Sequence, residues 1–426
     1  MPIRLAILFL GIVSIFTATD TRARKGASTT VQVPDHDLLG GLKPLPNDLA
    51  RHQHLTGLIP RLPEAVQSTG QQLLAALDDQ LGLYNRALLE FPFDNRIVPP
   101  PKIPLPAADA WQAESAVAAI TAQARRHRIV MVNEAHHDAH TRVLTLELLP
   151  KLYALGFRYL AVEALGHHDP GLAKRGYASP ASGSEYLHEP LYGEIVRRAI
   201  RLGYTLVPYD SDAPTLARRE AEQAGNIYRQ VFAKDPQARL LVHAGYAHID
   251  KAPGNLGGEV QPMAMRLAQL AGIEPLSIDQ TQFRDIDPGR SDPGAYGVLV
   301  ERFHPARPVV LRNAQTGKLW SADPARHDIS VVLPPAGSAS RPRWLTLDGE
   351  RRPRQVDAGL CHDRLPCIVE AHYADEPDDA TAADRYTFLH DDEPGTLYLY
   401  PGRYRLRGVD VGGHTLGRRS LDVRRR

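Results

Sequence analysis

Four segments of the sequence place carboxylates and histidines directly after short apolar runs that are typical of buried strands. The carboxyl ends of parallel strands meet at one edge of a sheet, where ligands bind in open α/β folds. We therefore predict that these segments form one common site. They are Asn133-Glu134-Ala135-His136-His137-Asp138, Glu163 with His167-His168-Asp169, Tyr209-Asp210, and His243 with Gly245-Tyr246-Ala247-His248.

Two chemistries fit such a set of side chains. Neighbouring carboxylates raise one another's pKa and histidines titrate near neutrality, so together they can activate water for attack on an ester or amide. The candidates for this catalysis are His137, Glu134, Glu163, His248 and His243. The second chemistry is a divalent metal site for Mn, Zn or Fe, with ligands Glu134, His137, Glu163 and His248.

Two common catalytic motifs are missing from the sequence. There is no His-Glu-x-x-His helix motif, so a zinc-protease assignment has no support. There is also no Gly-x-Ser-x-Gly turn, which argues against a serine nucleophile of that type.

The helix predicted over Pro214–Ala233 carries polar residues on its apolar side. Glu220 and Gln223 fall on this stripe and Arg219 is adjacent, so burial would require partners for them. They form either a structural ion pair or a part of the site, where the arginine would bind substrate or developing negative charge. The apolar stripe consists of Leu216, Ile227 and Val231, and the candidates for substrate binding are Arg219, Glu220, Arg142, Asp210 and His136.

Strands that alternate with helices would position this site. They predict an α/β fold, with a mainly parallel sheet covered by helices on both faces, over about residues 108–338. The predicted strands are Ile129–Val132, Tyr159–Val162, Thr205–Val207, Leu240–Val242, Pro275–Ile278, Pro308–Leu311 and Ile329–Leu333. The predicted helices include Ala139–Leu155, Glu189–Leu202, Met263–Ala271 and a helix to Arg126 that begins with a capping box at Asp109 and Gln112.

The C-terminal part, residues 339–426, shows a different pattern. Short alternating runs lie between Pro-Gly and Gly-Gly turns, which predicts a small antiparallel, sandwich-like β domain. Cys361 and Cys367 precede one of these strands and are expected to form one local disulfide in an oxidising compartment, in preference to a metal pair or a catalytic thiol.

The N-terminus has the layout of a secretory signal peptide over residues 1–23. The apolar run Leu5–Ala18 is too short to span a membrane, and Thr21-Arg22-Ala23 predicts cleavage after Ala23. We therefore expect a periplasmic or secreted protein with no integral membrane span after cleavage. Residues 24–107 are expected to form an arm with an amphipathic helix over Pro63–Leu89 and a proline-rich linker.

Composition excludes other classes of protein. The 50 Lys and Arg residues nearly balance the 49 Asp and Glu residues, which argues against a nucleic-acid partner. The hydrophobic fraction of 43% is enough for a core and excludes general disorder.

Residues 125–285 resemble the superfamily of erythromycin esterase, the ChaN-like haem-binding uptake proteins and Tiki. Glu134 and His137 match its Gly-Glu-x-x-His motif, Glu163 matches its second glutamate, and His248 matches its late Gly-x-x-His histidine. The resemblance implies that His137 is the general base for water and that the two glutamates orient it. Two residues depart from the pattern, because Asn133 replaces the motif glycine and Arg142 is closer to the motif than the family arginine. His243 would correspond to the second late histidine, although its spacing to His248 is wider than in the esterases.

The sequence thus predicts an exported hydrolase of an ester or amide in a small molecule or peptide, with His/Glu-activated water and optional metal assistance. One alternative is a haem- or iron-binding envelope protein of the ChaN-like type, although no Cys-x-x-Cys-His attachment motif is present. Another is a catalytically inert family member that acts as an envelope binding module.

Overall fold

An eight-stranded sheet organises the protein in a computed structural model, which describes residues 38–92, 104–285, 294–337, 339–390 and 395–425. The strands are β1 (Trp111–Ser115), β2 (Ile129–Glu134), β3 (Tyr159–Val162), β4 (Thr205–Pro208), β5 (Leu240–Gly245), β6 (Leu276–Phe283), β7 (Val309–Asn313) and β8 (Ile329–Val332). Their order is β1-β7-β8-β6-β2-β5-β3-β4. Neighbours from β8 to β4 pair in parallel, and both pairs made by β7 are antiparallel. The mainly parallel sheet is confirmed.

Helices cover both faces of this sheet, as predicted. Leu148 of α6 and Ile195 of α8 belong to the core on one face, and Ile227 of α9 and Leu267 of α10 belong to the core on the other. Strand β2 is buried along its whole length, which explains its continuous apolar sequence. The α-helices are α1 (Leu38–Leu42), α2 (Asp48–Leu58), α3 (Glu64–Gln80), α4 (Tyr84–Glu90), α5 (Ala116–Ala124), α6 (His140–Ala154), α7 (Leu172–Arg175), α8 (Pro190–Leu202), α9 (Leu216–Gln230), α10 (Met263–Ala271) and α11 (Gly294–Phe303).

The N-terminal region is more structured than the sequence indicated. Residues 38–60, which we expected in an arm, contain α1 and α2, and Leu42 and Leu55 pack there with Leu73 of α3. The predicted signal peptide, residues 1–23, lies outside the described residues, as do Pro99, Pro100 and Pro101 of the linker. No helix in the described part of the chain has the length and apolar character that a bilayer crossing requires.

The single helix predicted over Pro63–Leu89 is wrong, because the chain forms α3 and α4 there. Gly82, between them, has a φ of 75°, a left-handed conformation that glycine adopts without steric cost. The turn allows α4 to fold back on α3, which a continuous helix would not do.

The capping box predicted at Asp109 is also wrong. Gln112 lies in β1, which pairs with β7, and the helix begins only after Ser115, whose side chain accepts a hydrogen bond from the Ala118 N–H. Tertiary pairing at the sheet edge therefore overrides a local signal for a helix start.

Antiparallel sheets form the C-terminal part, as the alternating pattern predicted. Strands β10 (Cys367–Tyr373), β11 (Asp384–Phe388), β13 (Gly402–Asp410) and β14 (Thr415–Val423) form one sheet, and β9 (Arg352–Val356) pairs with β12 (Gly395–Leu399) in another. Val369, Leu397 and Leu406 belong to their common core. Cys361 and Cys367 are joined by a disulfide, which confirms that prediction.

The turn at Gly82 provides a test of this arrangement. A Cβ at this position would lie 2.8 Å from Arg341 Nη1 and 2.9 Å from the Arg385 carbonyl oxygen, in addition to the strain of the positive φ. We expect Gly82→Ala to lower the free energy of unfolding by about 1–3 kcal/mol in urea titrations. Gly57→Ala is the control, because Gly57 lies in α2 with open space around it, and this variant should gain about 0.5–1 kcal/mol. Equal unfolding midpoints for the two variants would contradict this account of the turn.

Candidate functional site

The predicted strand ends meet at the centre of the sheet. Glu134 ends β2, Glu163 follows β3, and β5 lies between these two strands. In the register of the sheet, Glu134 is paired with Gly245 and Val162 with His243. The two glutamates therefore flank the end of β5.

Glu134 is the most heavily bonded carboxylate of the site. Its oxygens accept hydrogen bonds from Arg142 Nε at 2.8 Å and meet His136 Nδ1 at 2.9 Å and His243 Nε2 at 3.2 Å. Burial by itself would raise the pKa of Glu134, but the charges and hydrogen bonds of these partners hold that pKa well below its usual range. Glu134 is therefore ionised at neutral pH.

Arg142 connects Glu134 to two further buried carboxylates. Its Nη1 lies 2.6 Å from Asp79 Oδ2 and 3.1 Å from Glu189 Oε2, and its Nη2 donates to the His136 carbonyl oxygen. The guanidinium is completely buried. Burial lowers its pKa, but the three carboxylates more than offset this and raise the pKa well above the ordinary value.

Glu163 has a separate set of donors. The Gly245 N–H donates to its Oε2 at 2.6 Å, and Arg219 Nη2 donates to its Oε1 at 2.9 Å. Burial raises the pKa of Glu163, but His248, Arg219 and the charge of His136 lower it well below its usual range. Arg219 also binds Asp210 at 2.8 Å, so it both forms a structural ion pair and reaches the site.

His248 is an imidazolium between two carboxylates. Its Nδ1 lies 2.7 Å from Glu220 Oε1 and its Nε2 lies 3.4 Å from Glu163 Oε1. Burial lowers the pKa of His248, but Glu220 and Glu163 raise it to about 10. Glu220 is fixed in turn by the Met263 N–H at 2.7 Å, at the start of α10.

His136 is the ring of this network that solvent reaches most readily, with 15% of its side chain exposed. The ring stacks on Tyr186 at a centroid distance of 4.4 Å and stands perpendicular to Tyr246 at 5.2 Å. A Cβ on Gly245 would lie 2.3 Å from His136 Nε2 and 3.2 Å from Glu163 Oε2. Glycine is thus required at position 245 for the ring to lie beside Glu163.

The structure places His137 in a different environment. Its Nδ1 meets Tyr246 Oη at 3.1 Å, its Nε2 meets Arg284 Nη2 at 3.2 Å, and its ring stacks on Phe91 at 3.5 Å. Burial and then the charge of Arg284 hold the pKa of His137 well below 6.5. The glutamates are therefore brought together with His136, His243 and His248, while His137 interacts with Arg284.

The proposed metal ligands do not fit a divalent cation. Within the described ranges, no three His, Cys, Asp or Glu side chains are arranged to hold a metal ion. Arg142 and Arg219 bind the two glutamates and place positive charge where a cation would lie. Both ring nitrogens of His137 and of His243 have hydrogen-bond partners, so these two rings offer no free lone pair to a metal or haem iron.

Sequence reasoning missed several residues of the network. Arg284 follows β6, but the predicted strand ended at Ile278, five residues before the observed end, so the next strand end was not considered. Asp79 lies near the end of α3 and Glu189 caps the N-terminus of α8, and no local spacing relates either residue to Glu134. His167 and His168, in contrast, are exposed, and His167 Nε2 contacts the Asp210 carbonyl oxygen at 2.9 Å.

Comparisons with known proteins add little to this description. No protein-family model matches the chain, and no curated protein matches it. A solved structure titled "The structure of the type III effector HopBA1" has 16% identity and a TM-score of 0.27, covering 43% of this chain and 89% of that one. Another, titled "Bacterial protein toxins", has 12% identity and a TM-score of 0.30, covering 51% of this chain and 48% of that one. Similarities this weak carry no functional argument, and the resemblance to the erythromycin esterase superfamily stays a prediction.

The raised pKa of His248 predicts a pH-dependent stability. His248 binds its proton more tightly in the folded state than in the unfolded state. Its contribution to the free energy of unfolding is therefore complete below pH 6.5 and is lost as the pH rises towards 10. The difference in unfolding free energy between the wild type and His248→Gln should shrink by about 3–5 kcal/mol over that interval. Urea titrations at several pH values test this, with the exposed His414→Gln as control. A difference that stays constant with pH would contradict the assignment.

The charge balance around Arg142 predicts a large loss of stability for Arg142→Met. This substitution leaves the buried carboxylates of Glu134, Asp79 and Glu189 without their common cation, and we expect a loss of about 3–5 kcal/mol. Arg218→Met, which removes an exposed ion pair on α9, should cost less than about 1 kcal/mol. Similar losses for the two variants in denaturant titrations would show that the Arg142 network is not the stabilising element described above.

Proposed function

We propose that the protein is an exported hydrolase of ester or amide bonds in which His136 activates the attacking water. The observation that carries this proposal is the 2.9 Å contact between His136 Nδ1 and the ionised carboxylate of Glu134. The signal-like N-terminus supports the exported location.

The contact with Glu134 defines the state of the His136 ring. An ionised carboxylate only accepts hydrogen bonds, so His136 Nδ1 must carry the hydrogen, and the base form of the ring has its lone pair on Nε2. A buried carboxylate holds the base in the same way in Ser-His-Asp triads. His136 Nε2 is therefore prepared to take a proton.

In the proposed reaction, His136 Nε2 removes a proton from water while the water oxygen bonds to the carbonyl carbon of the substrate. The π electrons of the carbonyl move to its oxygen and give a tetrahedral anion. The imidazolium then returns the proton to the leaving alcohol or amine as the C–O or C–N bond breaks.

The neighbouring charges favour this transfer. The negative charge of Glu163 lies beside His136 and stabilises the imidazolium that forms, while Arg219 and His248 keep Glu163 ionised. Glu134 interacts with the same imidazolium through Nδ1. Both glutamates thus act on the charge that appears at the reacting ring.

The surroundings of His136 favour water over a side-chain nucleophile. Among the described residues, no serine, threonine or cysteine side chain forms a hydrogen bond with its ring, and the two cysteines of the chain are joined in the disulfide. We expected His137 to be the base from its position in the motif. The proposal assigns this role to His136 because both nitrogens of His137 already have hydrogen-bond partners.

A substrate panel tests the proposal. We expect purified wild-type protein to hydrolyse some members of a set of nitrophenyl esters and chromogenic amides, and His136→Ala to lower kcat by about 10²–10⁴-fold. His414→Ala is the matched control, because this histidine is exposed in the turn between β13 and β14 and its loss should leave kcat unchanged. The pH–rate profile should rise with deprotonation of one group, and His136→Ala should abolish that rise.

A wild type that hydrolyses no substrate of the panel would overturn the proposal, and so would two other results. One is an active wild type whose kcat does not change in His136→Ala. The other is a stoichiometric metal or a Soret band in protein purified without added metal or chelator, if His136→Ala removes it and no substrate is turned over. The second result would favour the haem- or iron-binding alternative.

A further inference from the structure

We propose that the Tyr246 phenol is a second catalytic group, which donates a hydrogen bond to the carbonyl oxygen of the substrate, and that His137 is the positioning residue that orients it. This inference rests on the proposed function, because Tyr246 would stabilise the negative charge that develops on the substrate's carbonyl oxygen in the same reaction. It also gives a role to His137, the histidine that the water-activating network does not use.

The backbone at Tyr246 is the first observation. Its φ is 41°, in the left-handed region that bulky residues rarely adopt, and such a conformation costs about 1–3 kcal/mol. Asn133 holds it in place, because its side-chain amide donates to the Tyr246 carbonyl oxygen at 3.1 Å and to Asp279 at 2.8 Å. Asn133 thus holds the backbone from which the Tyr246 ring projects.

The hydrogen bonds of His137 determine its tautomer. A guanidinium can only donate, so the 3.2 Å contact with Arg284 Nη2 requires a lone pair on His137 Nε2. A neutral ring with a lone pair on Nε2 carries its hydrogen on Nδ1. His137 Nδ1 therefore donates to Tyr246 Oη, 3.1 Å away.

With this tautomer of His137, the Tyr246 hydroxyl hydrogen is not used in the contact with His137. The phenol oxygen accepts from His137, and no acceptor for its own hydrogen occurs among the residues that the structure describes. Accepting a hydrogen bond polarises the O–H group and strengthens it as a donor. The structure thus contains a fixed donor whose partner must come from the site.

The position of Tyr246 fits the geometry of the reaction. Tyr246 is a partly exposed residue, and its ring stands perpendicular to that of His136, with ring centroids 5.2 Å apart. A substrate whose carbon is attacked by water held at His136 can therefore direct its carbonyl oxygen towards the phenol. Donors placed where negative charge develops are among the largest contributors to catalysis.

Deletion of the hydroxyl group is the direct test. We expect Tyr246→Phe to lower kcat by about 10²–10³-fold with KM within about 3-fold of the wild type, since the hydrogen bond strengthens only in the transition state. Tyr204→Phe is the control, because it deletes a buried hydroxyl that donates to the Leu149 carbonyl oxygen at 2.7 Å, outside the site. Its kcat should stay unchanged. An active enzyme whose kcat survives Tyr246→Phe would overturn the inference.

Variants of His137 separate positioning from direct base catalysis. The asparagine amide can replace Nδ1 as donor, so His137→Asn should keep more activity than His137→Ala. If His137 acts only through Tyr246, the double variant Tyr246→Phe/His137→Ala should have about the same kcat as Tyr246→Phe alone. Losses that multiply would show that His137 acts independently and would overturn its role as a positioning residue.

The tautomer can be measured without any substrate. Nitrogen NMR of protein with ¹⁵N-labelled histidine side chains should show His137 with a hydrogen on Nδ1, with His137→Asn used to assign the signal. A hydrogen on Nε2 would overturn the inference, because Tyr246 would then have to donate to His137. If the wild type hydrolyses nothing, the proposed function fails, and the tautomer alone decides whether the Tyr246 hydrogen is available to a ligand.

Discussion

The buried guanidinium of Arg142 is the interaction on which the rest of the site depends. Three buried carboxyl groups surround it, from Asp79, Glu134 and Glu189, and a buried guanidinium requires partners of this kind. A buried ion pair often adds little net stability, because desolvation of the charges offsets their attraction. Its effect here is on position, since it fixes the Glu134 carboxylate and, through it, the ring of His136.

The same interaction joins separate parts of the chain. Asp79 comes from α3, and its other oxygen accepts the Ala139 N–H at the start of α6. Glu189 caps α8 and accepts a hydrogen bond from Tyr84 of α4. The N-terminal helices are therefore a part of the support of the site, although they lie outside residues 125–285, which carry the family resemblance.

Two adjacent histidines, His136 and His137, face opposite charges. His136 lies beside two carboxylates, those of Glu134 and Glu163, and takes the proton from water in the proposed reaction. Burial and the facing charge of Arg284 keep the His137 ring neutral, and the hydrogen bond from Arg284 leaves the ring hydrogen on the side of Tyr246. In the function proposed above, these neighbours in sequence supply the proton acceptor and the orientation of a hydrogen-bond donor in one site.

The sequence by itself determined the parallel sheet, its helical cover and the strand ends that deliver Glu134, Glu163 and His248. These features follow from local periodicity and from the rule that the carboxyl ends of parallel strands share one edge. The sequence alone did not determine the helix break at Gly82 or the strand at Gln112, where long-range packing prevailed over local signals. Tertiary structure alone decided which histidine lies beside the glutamates, because residues beyond a strand end have no period that fixes their direction. It also decided that Asp79 and Arg284 belong to the site, because charges that meet across the fold leave no spacing in the sequence.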